Sequence, residues 1–406
     1  MSAHEKPAPV EGVKFLTPGT IFLIMVMAAG AGLAVWRYIV GIDFPITHQS
    51  NVFPWGIWKA VNVAAIAAIG SSGFTMTAAV HIFNKHKYHN ILRPSLVIAM
   101  FCYTFVGIAL MVDLGRYYFI WHVFLPVMWQ VNSALFEVAM CVVCYLTVLY
   151  VEFSPMVFER FIGRVNLPGP LKGFNKLTEF ILKIGNTIVG KTIAVFMVCG
   201  ILFCCLHQST LGTLMVIPAY KMHPLWWTKA LPPLFLLSAV AVGLCSAVAV
   251  SLWTSYAFKT KYEMKALSSL ARSLPITIGL YIGVRLIDLA LRDQLGAMWE
   301  GSTRSHVFLV EFFIGMVLPF IMLLFSAVRK SPGLLFFSSM LFILAIALNR
   351  VNTYITAYMP PYAVGHYFPS ITEIVICFAQ IAALIFLYRV VVMIFPVVSQ
   401  PEKKSA

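Results

Sequence analysis

Long apolar runs, separated by short polar stretches, occupy nearly the whole chain of 406 residues. A helix needs about 20 mainly apolar residues to cross the ~30 Å hydrocarbon layer of a bilayer, and ten of the runs are long enough. The pattern therefore predicts an all-α integral membrane protein with a polar tail at each end, at 1–17 and 396–406. The predicted transmembrane helices lie at 18–42, 53–83, 91–115, 127–152, 187–208, 227–257, 271–291, 306–328, 333–357 and 371–395.

The composition supports this class of protein. Hydrophobic residues make up 60% of the chain, charged residues 11%, and the mean hydropathy is +0.87, which is too apolar for the hydrated surface of a soluble domain. The net charge of +14 comes from Lys and Arg in short loops, where they orient a membrane protein rather than bind nucleic acid. These residues accumulate on alternate loops together with both termini. The bias predicts that both termini are cytoplasmic and that the number of spans is even.

Three short strings recur along the chain at offsets of 170, 175 and 174 residues. This near-constant spacing predicts two parallel copies of a four-helix unit, because a unit with an even number of spans starts each copy on the same face. The units are expected at 53–208 and 227–357, with one flanking helix outside each of them. The matched positions are Lys59 with Lys229, Asp113 with Asp288, and Glu137 with Glu311.

The first unit carries an insertion at 153–186 that contains several prolines and a basic set. We expect this insertion to lie along the cytoplasmic surface. Within it, the run from Lys176 to Lys183 predicts a short interfacial helix whose charges anchor it to the membrane.

Ionisable residues at membrane depth are costly and mark functional sites by default. Asp113 and Arg116 lie close together at the end of the third span and are expected to be mutual partners. Glu137 is expected ~11 residues into the fourth span, ~16 Å deep and near the bilayer middle, as a proton relay or as a protonated group that holds helices together.

The string His207-Gln208-Ser209 places an imidazole, an amide and a hydroxyl at the predicted end of the fifth span. An imidazole that faces a carboxylate such as Asp113 suits proton exchange with a reducible ring that gains two electrons and two protons. The alternative is a histidine that only caps the helix end.

The ten histidines and eight cysteines predict no bound redox centre. Membrane haem needs paired axial histidines in the bilayer interior, whereas the histidines here fall at helix ends, in loops or near the N-terminus. The cysteines all lie inside apolar spans, where they are expected to act as small packing residues. No haem, iron–sulfur cluster or metal site is therefore expected in this chain.

Six strings, in order along nearly the whole chain, are more specific: FPWGIW at 53–58, DLGR at 113–116, VNSALFE at 131–137, HQSTLG at 207–212, YKMHPLW at 220–226 and YFPS at 367–370. Together they resemble the NrfD/polysulfide reductase family of quinone-interacting membrane subunits. The similarity is greatest to its ten-span branch, which includes membrane subunits of uptake hydrogenases and of menaquinone reductase complexes.

The resemblance implies a subunit of the bacterial inner membrane that binds no redox cofactor itself and whose active face is periplasmic. It would exchange electrons between menaquinone and a periplasmic iron–sulfur subunit, with proton translocation as a further expectation. Other periplasmic redox subunits are expected in the complex: a multihaem cytochrome c, a molybdopterin-type subunit or a hydrogenase subunit. Membrane lipid is the remaining partner.

The same resemblance suggests roles for individual residues. His207 and Asp113 become proton partners of the quinone oxygens, and Glu137 becomes a relay. The second unit has Asn349-Arg350 where the first has His207-Gln208, so one quinone site is expected. Candidate quinone-binding residues are Arg116, Lys59, Asn132, Gln208, Ser209, Trp121 and Tyr117. A candidate proton path comprises Glu137, His81, Asp288, Glu311 and Arg285.

Two alternatives of other classes remain open, a proton-coupled transporter and a purely structural membrane anchor. A transporter requires polar groups at the midplane and broken helices, whereas here the polar residues crowd one face and only Gly70–Gly73 suggests a break. A structural anchor leaves Glu137 and His207 without a role.

Overall fold

A computed structural model describes residues 7–10, 12–42 and 45–399. Within these residues, ten helices are long and apolar enough to cross a membrane, which confirms the predicted all-α membrane fold. We label them in chain order α1 (Pro18–Val40), α2 (Trp58–Ile82), α3 (His86–Asp113), α4 (Ala134–Phe161), α5 (Gly169–Val216), α6 (Leu231–Phe258), α7 (Met264–Leu291), α8 (Thr303–Leu324), α9 (Pro332–Thr356) and α10 (Ile371–Ile394).

Local sequence signals set several of these helix ends. The Ser133 hydroxyl accepts a hydrogen bond from the Phe136 amide and so caps α4. A capping box formed by Ser370 and Glu373 starts α10. The apolar pattern predicts that the helix starts at residue 127. Because the cap fixes the start of α4 at Ala134, residues 127–133 lie in the preceding loop instead.

Helices α2, α3 and α6 form the centre of the bundle. Their apolar windows are 83%, 72% and 72% buried within the protein, against 11% for α1. The backbones of α2 and α6 approach closely where Gly243 faces Ser71, since a Cβ at Gly243 would lie 2.8 Å from the Ser71 carbonyl oxygen. Peripheral α1 packs mainly on α10, with Gly30 against Ala379.

The packing of the two predicted units follows one rule. In each unit the fourth helix packs against the first helix of the other unit, α5 on α6 and α9 on the start of α2. Reciprocal contacts of this kind are what two copies related by an axis along the membrane normal would make.

Three of the helices contain π-helical segments, which are rare and often occur at functional sites. They cover Trp58–Ala65 and Ala78–Ile82 in α2, Val310–Val317 in α8 and Asn352–Thr356 in α9. The polar residues Asn62, Glu311 and Asn352 all lie in these segments and are buried, so the wider turns coincide with buried polar groups.

The insertion at 153–186 differs from its predicted form. Residues 153–161 continue α4, and Lys176–Lys183 form the first turns of an unbroken helix over Asn175–Val216, not a separate interfacial helix. At 42 residues this helix is about 63 Å long. The connecting loop folds back onto it, because the Gly163 amide donates to Glu179 and the Leu167 amide donates to Asn175. No proline interrupts the chain after Pro170 in this region, so the helix continues.

Two short strands, β1 (Pro7–Ala8) and β2 (Val398–Ser399), pair antiparallel. The described ends of the chain therefore meet on one face, as an even number of spans requires. Residues 1–6, 11 and 400–406 of the predicted tails lie outside the described residues. We call the opposite face, where α2 begins and α3 ends, the outer face.

Candidate functional site

Five polar side chains converge at the outer ends of α2, α3 and α10. This outer cluster consists of Gln49, Lys59, Asp113, Tyr367 and Glu373. Lys59 Nζ forms an ion pair with Asp113 Oδ2 at 2.6 Å and donates to Gln49 Oε1 at 3.2 Å. Gln49 Nε2 donates in turn to Asp113 Oδ1 at 3.2 Å and to Glu373 Oε1 at 3.4 Å. One amide thus links two carboxylates.

The partner of Asp113 is Lys59, not Arg116 as predicted. The helix ends at Asp113, and Leu114 takes an extended conformation, with φ −71° and ψ 121°. Arg116 is therefore not one helical turn beyond Asp113 and lies exposed instead. The side chain of Lys59 keeps 25% of its surface exposed and that of Asp113 only 7%, so the lysine is the accessible member of the pair.

Tyr367 and Glu373 form the inner wall of the outer cluster. The Tyr367 hydroxyl donates to Glu373 Oε1 at 2.7 Å and accepts a hydrogen bond from the Ile57 amide. Burial raises the pKa of Tyr367, and the neighbouring Glu373 carboxylate raises it further. The phenol therefore stays protonated and serves as a fixed donor to Glu373.

His207 belongs to a second, deeper group of polar side chains. This histidine cluster consists of His207, Tyr103, Gln208, Cys204 and Tyr145. His207 Nδ1 lies 3.1 Å from the Tyr103 hydroxyl. The same hydroxyl accepts a hydrogen bond from Gln208 Nε2 at 3.3 Å and lies 3.3 Å from Cys204 Sγ. The Tyr145 ring packs edge-on against Tyr103, with centroids 4.5 Å apart. His207 Nε2 and the Tyr145 hydroxyl are buried without a hydrogen-bond partner among the described residues.

The predicted position of His207 at a helix end is wrong. Helix α5 continues to Val216, more than two turns beyond His207, and the side chain is fully buried. A capping role is excluded for the same reason. His207 also does not face Asp113, because its partner Tyr103 precedes Asp113 by ten residues on α3, which is about 15 Å along the helix.

Glu137 lies in the first turn of α4, not near the bilayer middle. The cap at Ser133 starts the helix seven residues later than the apolar pattern predicted, which moves Glu137 to its outer end. The side chain is exposed at the protein surface and accepts a hydrogen bond from Thr210 Oγ1 at 2.7 Å.

The second unit holds a buried ionic network around Glu311. Oε1 forms an ion pair with Arg285 at 2.7 Å and accepts from Asn349 at 2.8 Å. Oε2 accepts from Trp226 at 3.0 Å and from Asn352 at 2.6 Å. Asn352 occupies the place of Thr210, so the Glu311–Asn352 contact in the second unit parallels the Glu137–Thr210 contact in the first.

Asp288 is the counterpart of Asp113, and like Asp113 it contacts a residue at the start of its predicted unit. Its Oδ1 accepts from Thr228 at 2.6 Å, and its Oδ2 pairs with Arg292 at 2.7 Å.

The remaining predicted residues lie apart from both clusters. Asn132 and Trp121 are exposed at the outer face, Ser209 is half-buried, and His81 is exposed near the inner end of α2. The ring of Tyr117 packs on Tyr38, with centroids 4.5 Å apart, rather than on the outer cluster.

Gln49 and Tyr103 are the polar residues that the sequence did not single out. Gln49 precedes the second span in an irregular segment, and no helical spacing connects it with Asp113 or Glu373. Tyr103 lies in an apolar span, where a lone tyrosine is typically a packing residue; only the depth of His207 indicates its role.

The described residues contain no group of three or more His, Cys, Asp or Glu side chains placed to hold a metal ion. The outer cluster offers other chemistry. Two carboxylates, an ammonium group and a phenol, bridged by one amide, can orient a carbonyl oxygen and exchange a proton with it.

Comparison with known proteins agrees with the predicted resemblance. Residues 45–361 match the family described as polysulphide reductase, NrfD. The chain is 28% identical over 394 residues to the "Probable Ni/Fe-hydrogenase 2 b-type cytochrome subunit" of Escherichia coli (strain K12), which covers 96% of this chain and 95% of that protein. It is 23% identical over 344 residues to the "Menaquinone reductase, integral membrane subunit" of Nitratidesulfovibrio vulgaris (strain Hildenborough), with coverage of 79% and 77%. Because one relative is named a b-type cytochrome subunit, the absence of haem here stays a prediction.

Proposed function

Because this chain belongs to the polysulphide reductase NrfD family, we propose that it is the quinone-reactive membrane subunit of a respiratory oxidoreductase complex. The observation that carries the proposal is the outer cluster, in which an accessible lysine is paired with a buried aspartate at one face. The names of two relatives, a hydrogenase subunit and a menaquinone reductase subunit, support a redox complex. Family membership and the position of the polar groups favour this function over a transporter or an anchor.

The outer cluster has the groups that a quinone head would need. Lys59 Nζ contacts Asp113, Gln49 and the Pro54 carbonyl oxygen, so it can donate to a quinone oxygen in exchange for one of these three contacts. The Trp55 ring, whose centroid lies 5.9 Å from Lys59 Nζ, offers an aromatic surface for a naphthoquinone such as menaquinone. Asp113 supplies a carboxylate that can take up a proton and pass it to the reduced ring, whereas Glu373, whose two oxygens accept four hydrogen bonds, holds the cluster in place.

Reduction of a quinone to a quinol takes two electrons and two protons. In this proposal the electrons come from a periplasmic iron–sulfur partner that docks on the outer face, next to the exposed aromatic loop at 117–129. The chain is then an inner-membrane protein with cytoplasmic termini, as the loop charges predict.

The histidine cluster is proposed as an inner proton path. Tyr103, Tyr145 and Glu152 continue from His207 towards the inner half of the first unit, since a Cβ at Gly200 would contact both Glu152 and Tyr145. Glu311 is not part of this path, because an ion pair with Arg285 and three hydrogen bonds engage both of its oxygens, which suits structure rather than relay.

The test is turnover and menaquinone-analogue binding, by fluorescence quenching, in the purified complex. Asp113→Asn keeps the shape of the side chain but removes its charge and its ability to take up and release a proton, and is expected to lower turnover by about 100-fold or more, the range for a positioned acid–base group. Asp288→Asn is the matched control, because it changes the corresponding residue of the second unit. Equal activity in Asp113→Asn and Asp288→Asn would contradict the assignment of the quinone site to the outer cluster.

A second variant separates binding from proton supply. His207→Gln is expected to slow turnover with unchanged analogue affinity, because the imidazole lies about 15 Å below the outer cluster. Loss of analogue binding in His207→Gln would place the quinone at the histidine cluster instead.

A further inference from the structure

A buried arginine in the second unit carries a charge that no described carboxylate contacts. Arg350 in α9 is fully buried. One guanidinium nitrogen donates to Ser238 Oγ at 2.6 Å and to Phe235 O at 3.2 Å, and the other donates to Asn349 Oδ1 at 3.2 Å. All three acceptors are neutral, and Arg350 Nε has no hydrogen-bond partner among the described residues. Arginine stays protonated in proteins, so this positive charge is permanent.

The nearest acidic group is already neutralised. Glu311 accepts one hydrogen bond at Oε1 and two at Oε2, and Arg285 balances its charge in an ion pair at Oε1. An isolated charge out of contact with water is costly unless it is paired. Phe235, whose ring centroid lies 3.5 Å from the Arg350 guanidinium carbon, offsets part of that cost through a cation–π contact.

In the first unit, an uncharged side chain makes the corresponding contact between helices. Gln208 occupies the position of Arg350, and its amide donates to the Ala67 carbonyl of α2 at 2.9 Å, as Arg350 donates to the Phe235 carbonyl of α6. A neutral donor therefore suffices to join these helices. The charge of Arg350 is an addition specific to the second unit.

A small polar cavity lies beside Arg350, between α6, α7 and α9. Its lining includes Arg285, Arg292, Arg350, Asp288, Thr228 and Asn349. Asp288 pairs with Arg292 and accepts a hydrogen bond from Thr228, and Arg285 pairs with Glu311, so Arg350 leaves one positive charge in excess. Arg350 is the only one of the three arginines for which the described residues provide no ion pair.

We propose that this cavity, whose lining includes Arg350, binds one monovalent anion of halide size. The excess of positive charge selects an anion, and the restricted space excludes an organic one. The bound ion would neutralise Arg350 and stabilise the packing of α6, α7 and α9. This site is separate from the outer cluster and does not depend on the proposed quinone chemistry.

The test compares the thermal unfolding of the full-length purified protein in sodium chloride, sodium bromide and sodium gluconate at equal ionic strength. The unfolding midpoint is expected to rise with chloride or bromide and to saturate, and to stay flat in gluconate, which is too large for the cavity. Arg350→Gln should abolish the rise. Arg37→Gln is the matched control, because Arg37 is also fully buried without an ion pair among the described residues but does not line the cavity.

Two outcomes would overturn the proposal: an equal rise in gluconate, or a halide-dependent rise that persists in Arg350→Gln. If Arg350→Gln does not fold, Thr353→Asp decides. Thr353 also lines the cavity, and aspartate is close to threonine in size while supplying a carboxylate. This variant should fold without halide dependence, and persistence of the dependence would refute the site. Crystals grown in bromide should show an anomalous peak beside Arg350, and peaks only elsewhere would count against it.

Discussion

The close approach of α2 and α6 leads to a quantitative prediction for Gly243→Ala. A Cβ at this position would lie 2.6 Å from Ser71 Oγ, 2.8 Å from Ser71 O and 2.9 Å from Ser71 C. Two of these atoms belong to the backbone and cannot move away alone, so the two central helices must separate. Overpacking of this kind costs about 1–3 kcal/mol.

Gly283→Ala in α7 is the control, because nothing lies within 4 Å of a Cβ there. Both variants gain the same helix propensity, about 1 kcal/mol, so the difference in their free energies of unfolding isolates the steric cost. The measurement is reversible unfolding by SDS in mixed micelles, followed by far-UV circular dichroism. Equal free energies of unfolding for the two variants would show that α2 and α6 are not in contact at Ser71.

Three further predictions concern individual hydrogen bonds. Gly56→Ala should displace the Gln49 amide, whose Cδ would lie 2.7 Å from the new Cβ, and weaken quinone-analogue affinity about fivefold, the value of one hydrogen bond; unchanged affinity would separate Gln49 from the site. Trp226→Phe should destabilise the protein by about 1.5–3 kcal/mol, because the indole N–H of Trp226 donates to the charged Glu311. Trp227→Phe is the control and should cost about 0.5–1.5 kcal/mol, because the indole N–H of Trp227 donates to the neutral Val216 carbonyl. Equal losses of stability in the two variants would contradict a charged Glu311. Burial, and then the Arg304 charge, lower the pKa of His223, whose Nδ1 accepts from the Leu225 amide. The contribution of neutral His223 to stability is complete above the ordinary pKa of ~6.5 and is lost as the pH falls through the lowered value. Protection of the Leu225 amide from hydrogen exchange, corrected for intrinsic rates, should therefore fall on acidification in the wild type. It should not fall in His223→Gln.

The number and class of the helices were predictable from the sequence, because the length of apolar runs is fixed by the bilayer. The ends of the helices were less predictable. Nothing in the apolar pattern shows that α5 continues through Ser209 to Val216, since polar residues buried between helices interrupt hydropathy without interrupting hydrogen bonding. The depth of His207 was wrong for that reason, and the depth of Glu137 was wrong because the cap at Ser133 was overlooked.

The partners of the site residues were the least predictable part. Asp113 and Arg116 are close in sequence, but the extended conformation at Leu114 separates them, and Lys59 reaches Asp113 from another helix. Contacts between helices depend on packing, which one sequence does not specify. The matched offsets of Asp113 with Asp288 and of Glu137 with Glu311 were more informative. Asp113 and Asp288 each contact a residue at the start of their predicted unit, and Glu137 and Glu311 each contact the fourth helix of theirs.

The pairing of β1 with β2 makes the polypeptide nearly a closed ring. Adjacent strands lie about 5 Å apart, so the described ends could be joined by a short linker without moving a helix. New termini could then be opened in the loop after α4, at 162–168, where the backbone is mostly exposed. A circular permutant of this kind would start with α5 and end with α4, and its assembly would show whether the order in which the ten helices enter the membrane matters to the fold.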